Sequence, residues 1–228
     1  RLVGSEMSIR DSIKDTQFDG DFHLAAQSHP PTSFRDPIGT MDTNVMGSAN
    51  LFQVIQDFQN NCKVMFCSTS EVYGNVGSDG RKIRWDDTIL PSNPYGASKA
   101  ATDVYLQERF ANGFMKCFIT RAFSHTGPRR GRIFSISSDA YQIARMMRGY
   151  QEPTLLIGNL STTRVVMDVR DTVRSYYLAM INPEVKDQIF NVCVDTPRQM
   201  QYITDKLIEL SGLNDVKQKI HKPFWRPH

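Results

Sequence analysis

The stretches STSEVYG at residues 68–74 and NPYGASK at residues 93–99 decide the fold assignment of this chain. The first stretch ends an apolar run, Val64–Cys67, of the kind that forms a buried parallel strand. Ligands bind beyond the carboxyl ends of strands in open α/β sheets, so Thr69 and Glu71 fall where such proteins usually carry out their chemistry. The sequence therefore predicts an α/β fold with candidate site residues directly after this strand.

The second stretch opens a predicted helix and carries a tyrosine and a lysine four residues apart. At that spacing Tyr95 and Lys99 lie on the same face of the helix. An ammonium group near a phenol favours the phenolate, because the positive charge stabilises the negative one. The pair therefore predicts that Tyr95 acts as a general base near neutral pH.

Apolar runs alternate with helical patterns along the rest of the chain. Strands are predicted at residues 22–26, 63–68, 116–123, 154–157 and 188–194, and helices at residues 41–58, 95–110, 137–149, after Asp168 and at 200–210. The segments HPPT at residues 29–32 and 222–228 are predicted to be loops, because proline interrupts helices. Helices between consecutive strands require right-handed crossovers, which predicts a parallel sheet.

Together these motifs resemble the extended short-chain dehydrogenase/reductase family. Thr69 and Glu71, with the Tyr-x-x-x-Lys pattern about two dozen residues on, are similar to the nucleotide-sugar 4,6-dehydratases, and to the GDP-mannose 4,6-dehydratases above all. The segment FSHTGPRRG at residues 123–131 strengthens the resemblance, which covers most of the chain. It implies a partial Rossmann-like, doubly wound parallel sheet with a smaller C-terminal substrate-binding part.

The resemblance also implies a lyase reaction and a role for each motif residue. Tyr95 is expected to take the proton of the sugar 4-hydroxyl, while hydride leaves C4 for a nicotinamide. Glu71 is expected to remove the C5 proton and assist loss of the C6 hydroxyl as water, after which the hydride returns to C6. Thr69 is expected to hydrogen-bond the 4-oxygen, and Lys99 to bind the nicotinamide ribose and tune Tyr95.

Binding residues are assigned by the same resemblance. The dinucleotide is expected to contact Leu24, Ala25, Ala26, Gln27, Ser28, Lys99, His125 and Arg130. The sugar nucleotide is expected to contact Ser70, Arg129 and Arg164, since arginine suits phosphate geometry. Two positions depart from the family pattern: Ser124 stands where asparagine is usual, and Arg164 is followed by two valines rather than by Asp-Trp.

No glycine-rich turn of the form G-x-x-G-x-x-G or G-x-G-x-x-G follows a predicted strand. We therefore expect residues 1–130 to be an incomplete dinucleotide-binding domain, with its first strands and glycine-rich loop missing. Residues 131–228 are expected to be a partial sugar-nucleotide-binding domain, with residues 165–195 returning to the sheet. The chain is then a fragment of a longer enzyme, and a degenerate homologue that has lost its cofactor is the alternative.

The composition of the chain limits the classes of partner that it is expected to bind. With 40% hydrophobic and 22% charged residues and a net charge of +3, the 228-residue chain predicts a globular protein without nucleic-acid or membrane partners. Four cysteines without C-x-x-C spacing predict buried thiols in a reducing cytoplasm and no metal site. The resemblance implies GDP-mannose or a related sugar nucleotide as substrate, NADP as cofactor with NAD not excluded, and a homodimer or homotetramer.

Three functional hypotheses stay open on the sequence alone. The first is the 4,6-dehydratase, which needs a carboxylate beside the phenol. The second is a 4-keto-sugar reductase or epimerase of the same superfamily, which does not need that carboxylate. The third is a non-catalytic homologue with a structural or regulatory role.

Overall fold

The computed structural model describes residues 3–59 and 61–221, and for residues 3–7 it describes the backbone alone. The loop predicted at residues 222–228 lies outside the described residues. The chain divides into two compact units, one made of residues 1–123 and 173–192 and the other of residues 124–172 and 193–228. Which ligand each unit binds stays a prediction.

Helices and strands alternate along most of the chain. In order they are α1 (Val3–Lys14), β1 (Gly20–His23), α2 (Pro30–Arg35), α3 (Pro37–Met41), a π-helical turn (Asp42–Met46), α4 (Gly47–Phe58), β2 (Lys63–Thr69), a 3-10 turn (Ser70–Tyr73), α5 (Pro94–Ala111), β3 (Cys117–Ala122), β4 (His125–Thr126), α6 (Ser135–Met147), β5 (Thr154–Ile157), β6 (Thr163–Val165), β7 (Met167–Asp168), α7 (Val169–Ile181), β8 (Gln188–Val192), β9 (Pro197–Gln199), α8 (Met200–Ser211) and β10 (Lys217–Ile220).

The first unit is built on a parallel sheet with the strand order β1-β2-β3-β8. Val64 of β2 pairs with Cys117 of β3, and Phe118 of β3 pairs with Gln188 of β8. The predicted parallel α/β sheet is therefore confirmed. Because all four strands run the same way, the ends of β1, β2 and β3 lie at one edge of the sheet, where the candidate residues follow them.

Apolar side chains cover both faces of this sheet. On one face Phe66 packs with Phe52 of α4 and Leu106 of α5, and all three are fully buried. On the other face Met65 and Phe118 pack with Tyr176 of α7. Burying each such side chain contributes on the order of 1.5–3 kcal/mol, which explains the near-continuous apolar runs of β2 and β3.

The prediction that all four cysteines are buried fails at Cys193, which is exposed. Two predictions of local structure are also wrong. The strand expected at residues 22–26 runs instead from Gly20 to His23, because only these four residues pair with β2. The segment HPPT is not a loop, since Pro30 and Pro31 begin α2. Proline is well tolerated in the first helical turn, where its missing N–H would have had no intrahelical partner.

The second unit has its own small core. Ile143 and Met146 of α6 pack against Leu155 of β5 and Met200 of α8. Three two-stranded pairings complete this unit: β5 with β10, β4 with β7 and β6 with β9. None of the helices in the described ranges is long and apolar enough to span a bilayer.

Gly74 gives a test of the turn that follows β2. Its φ of 55° favours glycine, and an added Cβ would collide with the Leu90 carbonyl. Gly74→Ala should therefore lower the free energy of unfolding by at least about 2 kcal/mol in urea titrations. Gly80→Ala is the matched control, because Gly80 also has a positive φ of 88° but has no atom within 4 Å of the added Cβ. An equal loss in both variants would contradict the close approach to Leu90.

Candidate active site

An asparagine joins the strand end that carries Glu71 to the helix that carries Tyr95. The Asn93 side-chain oxygen caps α5 by accepting from the Gly96 N–H at 2.8 Å, and its amide nitrogen donates to the Glu71 carboxylate at 2.8 Å. Gly96 itself passes so close that an added Cβ would lie 2.6 Å from the Glu71 carbonyl oxygen. The Glu71 carboxylate is therefore bound by a residue two positions before Tyr95, which holds the Glu71 turn against the start of α5.

The turn that presents Glu71 begins at Thr69. The Thr69 hydroxyl accepts from the Glu71 N–H at 3.3 Å and so caps the single 3-10 turn Ser70–Tyr73. Thr69 is 8% exposed, so its hydroxyl lies just below the surface at the end of β2. The structure thus places the predicted residues Thr69, Ser70 and Glu71 on one short, capped turn.

Lys99 is an almost completely buried cation, with only 3% of its surface exposed. Its ammonium nitrogen lies 4.2 Å from the centroid of the Phe66 ring. Burial lowers the pKa of Lys99 to about 8, against the raising effect of Cys67 and Asp103. A lysine held over an aromatic face in this way could bind the hydroxyls of a ribose.

The predicted cofactor-contacting segment, residues 24–28, lies at the carboxyl edge of the sheet. Leu24 is 57% exposed, as expected of a surface that a ligand covers. Asn44 of the π-helical turn fixes this segment, because its side chain accepts from the Gln27 N–H at 2.8 Å and donates to the Gln27 carbonyl at 3.0 Å. The Asn44 amide also donates to the Ser98 hydroxyl at 2.8 Å, which ties the segment to the helix of Tyr95 and Lys99.

The buried residue His23 contacts Ser48 and Phe66 in the same region. The Ser48 hydroxyl donates its one proton to the Asn44 carbonyl at 2.6 Å, so the 2.8 Å contact with His23 Nε2 requires the histidine to donate. The His23 ring stacks on Phe66, with centroids 5.8 Å apart. Burial, and then the charge of Lys99, lower the pKa of His23 to about 4, so the imidazole stays neutral.

Four predicted residues belong to the second unit. His125 lies in β4, where it pairs with Met167 of β7. The Arg130 guanidinium carbon lies 3.7 Å from the centroid of the Phe134 ring, and Arg129 has a φ of 71°. Arg164 is exposed in β6, opposite Arg198 of β9. Their binding roles stay predictions.

The sequence reasoning missed the roles of Asn93, Asn44 and His23. A signal was present for Asn93, since asparagine before proline is a common start of a helix. For Asn44 and His23 the sequence holds no such signal. The partners of Asn44 lie 17 and 54 residues away along the chain, and the partner of His23 lies 25 residues away.

Comparison with known proteins provides independent evidence on the family of this chain. A family model described as GDP-mannose 4,6 dehydratase matches residues 4–221. A GDP-6-deoxy-D-mannose reductase of Pseudomonas aeruginosa is 32% identical over 194 residues, which are 85% of this chain and 63% of that protein. A GDP-mannose 4,6-dehydratase of Vibrio cholerae is 28% identical over 203 residues, which are 88% of this chain and 52% of that protein. The chain thus spans about half to two thirds of these two curated relatives.

Solved structures share the fold. The structure of RMD from Pseudomonas aeruginosa complexed with NADPH is 28% identical, with a TM-score of 0.87 over 93% of this chain and 73% of that one. The dTDP-glucose 4,6-dehydratase DesIV of Streptomyces venezuelae, with NAD and TYD bound, is 22% identical, with a TM-score of 0.82 over 95% of this chain and 64% of that one. The predicted Rossmann-like architecture is therefore confirmed.

Lys99 generates a prediction on stability. The pKa of Lys99 is about 8 when folded and 10.5 ordinarily, so the unfolded chain binds more protons between these pH values. Below pH 8, Lys99 therefore lowers the free energy of unfolding by its full amount, and this effect is lost as the pH rises from about 8 to 10.5. Lys99→Met should stabilise the protein by about 2–3 kcal/mol at pH 7 and by less than about 1 kcal/mol at pH 10, as measured by urea unfolding.

The exposed residue Lys116 supplies the control for this experiment, because Lys116→Met changes the same chemical group outside the core. Its effect on stability should be small at both pH values. If Lys99→Met stabilised the protein equally at pH 7 and pH 10, the buried-ammonium interpretation would be wrong.

Proposed function

The chain belongs to the GDP-mannose 4,6-dehydratase family, and from that premise we propose that it is a nucleotide-sugar 4,6-dehydratase acting on GDP-mannose. The observation that carries the proposal is the Glu71 carboxylate, which Asn93 holds at 2.8 Å beside the helix of Tyr95. Elimination of water needs such a carboxylate next to the phenol, because one group must remove the proton at C5 after the other has deprotonated the 4-hydroxyl.

The cofactor in this proposal is NADP, with NAD as the alternative. Leu24–Ser28 and Lys99 would hold it, since the segment lies at the sheet edge with Leu24, Ala25 and Ser28 exposed, and the ammonium of the lysine faces the Phe66 ring. When bound, the nicotinamide supplies reversible hydride storage. The rest of the chemistry falls to the side chains of this chain.

Tyr95 takes the proton of the sugar 4-hydroxyl, and Lys99 stabilises the phenolate that results. Thr69 hydrogen-bonds the 4-oxygen. The ketone at C4 acidifies the neighbouring C5–H, from which Glu71 takes the proton. Glu71 then gives a proton to the leaving C6 hydroxyl, which departs as water. The hydride removed from C4 would end on C6, and the proton that Tyr95 took from the 4-hydroxyl would pass to C5, so the reaction needs no net oxidant or reductant.

Anionic groups of the substrate would be bound by the second unit. Arg129 and Arg164, with Ser70 on the Glu71 turn, are proposed to contact the sugar nucleotide, and His125 and Arg130 the cofactor. Arginine binds phosphate through two parallel hydrogen bonds, which suits a diphosphate.

We further propose a homodimer or homotetramer in the cytoplasm. Helices α3–α4 and α5 expose large apolar side chains that a second copy would cover, among them Ile38 at 77%, Met46 at 51% and Val104 at 53% exposure. The four cysteines are free thiols, which is the usual state in a reducing compartment.

A second function, reduction of a 4-keto sugar nucleotide, is favoured by one observation. The Pseudomonas aeruginosa relative at 32% identity is a GDP-6-deoxy-D-mannose reductase. The two activities are distinguished by incubating the purified protein with GDP-mannose without reductant. A dehydratase yields a product lighter by one water, whereas a reductase leaves GDP-mannose unchanged and consumes NADPH with a 4-keto sugar.

Glu71→Gln tests the proposed dehydratase. The amide keeps the size of the side chain but cannot accept the C5 proton, so kcat should fall by at least about 100-fold while GDP-mannose binding, measured by calorimetry, is retained. Glu184→Gln makes the same change at an exposed glutamate of the loop after α7 and should leave kcat unchanged. Unaltered turnover in the Glu71 variant would refute the assignment.

Asn93→Asp tests how Glu71 is held. Aspartate keeps the cap on α5 but replaces the amide donor with a carboxylate that repels Glu71. We expect kcat to fall about ten-fold with little change in the unfolding midpoint. Asn93→Ser, which caps equally well without adding charge, should lose less activity. Equal losses in the two variants would argue against repulsion at Glu71.

A further inference from the structure

A fully buried arginine connects the two sides of the candidate active site. Arg121 of β3 donates from Nε and Nη2 to the two carboxylate oxygens of Asp103 at 2.9 and 2.8 Å. Its Nη1 donates to the Tyr73 hydroxyl at 2.9 Å and to the Trp85 carbonyl at 2.7 Å. Asp103 lies one helical turn after Lys99, and Tyr73 lies two residues after Glu71. One guanidinium therefore binds both the helix of Lys99 and the turn of Glu71.

The direction of the hydrogen bonds at Tyr73 is fixed by chemistry. Arginine can only donate, so the Tyr73 hydroxyl accepts from Arg121 and has its own proton left to donate. That proton goes to the Asn191 side-chain oxygen at 2.7 Å, and the Asn191 amide donates in turn to the Ile83 carbonyl at 3.1 Å. The hydroxyl is thus held on both sides inside a core in which Tyr73 is 0% exposed.

The Glu71 turn depends on such external anchors. It is a single 3-10 turn of four residues, Ser70–Tyr73, and short 3-10 segments have poor internal hydrogen bonds. Thr69 caps its start, and the Tyr73 side chain anchors its end. A phenylalanine would fill the same volume, so the hydroxyl is not needed for burial. Its contribution is to fix the orientation of the turn through directional bonds to a charged partner.

We propose that the Tyr73 hydroxyl, held by Arg121 and Asn191, is a positioning group that fixes the Glu71 carboxylate relative to the helix of Tyr95 and Lys99. The inference rests on the proposed function for its effect on turnover. Its structural part, the anchoring of the turn, stands on the contacts alone.

The test is Tyr73→Phe, with Tyr105→Phe as the matched control. Both tyrosines stack with an arginine, since Arg121 lies 5.1 Å from the Tyr73 ring centroid and Arg109 lies 5.0 Å from that of Tyr105. Only at Tyr73 does the hydroxyl join the Arg121 network. We expect Tyr73→Phe to lower kcat on GDP-mannose about ten-fold at unchanged KM, and Tyr105→Phe to change neither.

A double-mutant comparison separates positioning from general damage to the fold. If Tyr73 acts through Glu71, adding Tyr73→Phe to Glu71→Gln should leave the residual rate unchanged. A loss of about ten-fold in both backgrounds would overturn the proposal, because the hydroxyl would then act without Glu71.

Amide hydrogen exchange tests the anchoring without relying on activity. In Tyr73→Phe, amides of residues 70–74 and 83–87 should exchange about ten-fold faster than in Tyr105→Phe. If the wild-type protein fails to dehydrate GDP-mannose, the proposed function falls and this measurement alone decides the anchoring. Unchanged exchange, or unchanged kcat in an active enzyme, would overturn the inference.

Discussion

The ion pair between Arg121 and Asp103 is the interaction on which the rest of the first unit depends. The two side chains are 2% and 0% exposed, and they meet through two parallel hydrogen bonds. Removing two charges from water costs several kcal/mol per ion, and this cost is offset only where every remaining donor finds an acceptor. In this core the Tyr73 hydroxyl and the Trp85 carbonyl accept from Nη1 of Arg121, and the Ser68 hydroxyl and the Gln107 amide donate to the Asp103 carboxylate. The pair therefore specifies one arrangement of β2, β3, α5 and the intervening turn.

The same ion pair explains why, in the described part of the chain, no free carboxylate compensates the buried positive charge of Lys99. Asp103 is the nearest carboxylate along α5, and both of its oxygens already accept from Arg121. Lys99 is left facing the Phe66 ring, and burial lowers its pKa to about 8. A cation–π contact of this kind contributes on the order of 1–2 kcal/mol, less than full solvation of the ammonium would. The fold thus accepts a destabilising lysine at the place where the proposed reaction requires a positive charge.

Whether a feature could be predicted from the sequence depends on how far apart along the chain its interacting residues lie. The strands β2, β3 and β5 and the helix α5 were predictable, because apolar runs and the Tyr95–Lys99 spacing are local patterns. The helix at Pro30 was misjudged, since proline can start a helix as well as stop one. The Arg121 network joins residues that lie 18 to 118 positions apart along the chain. No local sequence pattern therefore distinguishes Arg121 and Asp103 from charged residues on the surface.

The shared frame also explains why reductases, epimerases and dehydratases all resemble this chain. Under the proposed function, the sheet, the buried lysine and the phenol would serve any reaction in which a sugar hydroxyl is oxidised or a ketone reduced. Elimination of water adds the need for one carboxylate, which the proposal assigns to Glu71 on a four-residue turn. A turn that short cannot orient a side chain by its own hydrogen bonds. Under that proposal its anchors, Asn93 at the carboxylate and Tyr73 at the end of the turn, tune the rate that Glu71 makes possible, because a carboxylate that is less well placed takes the C5 proton more slowly.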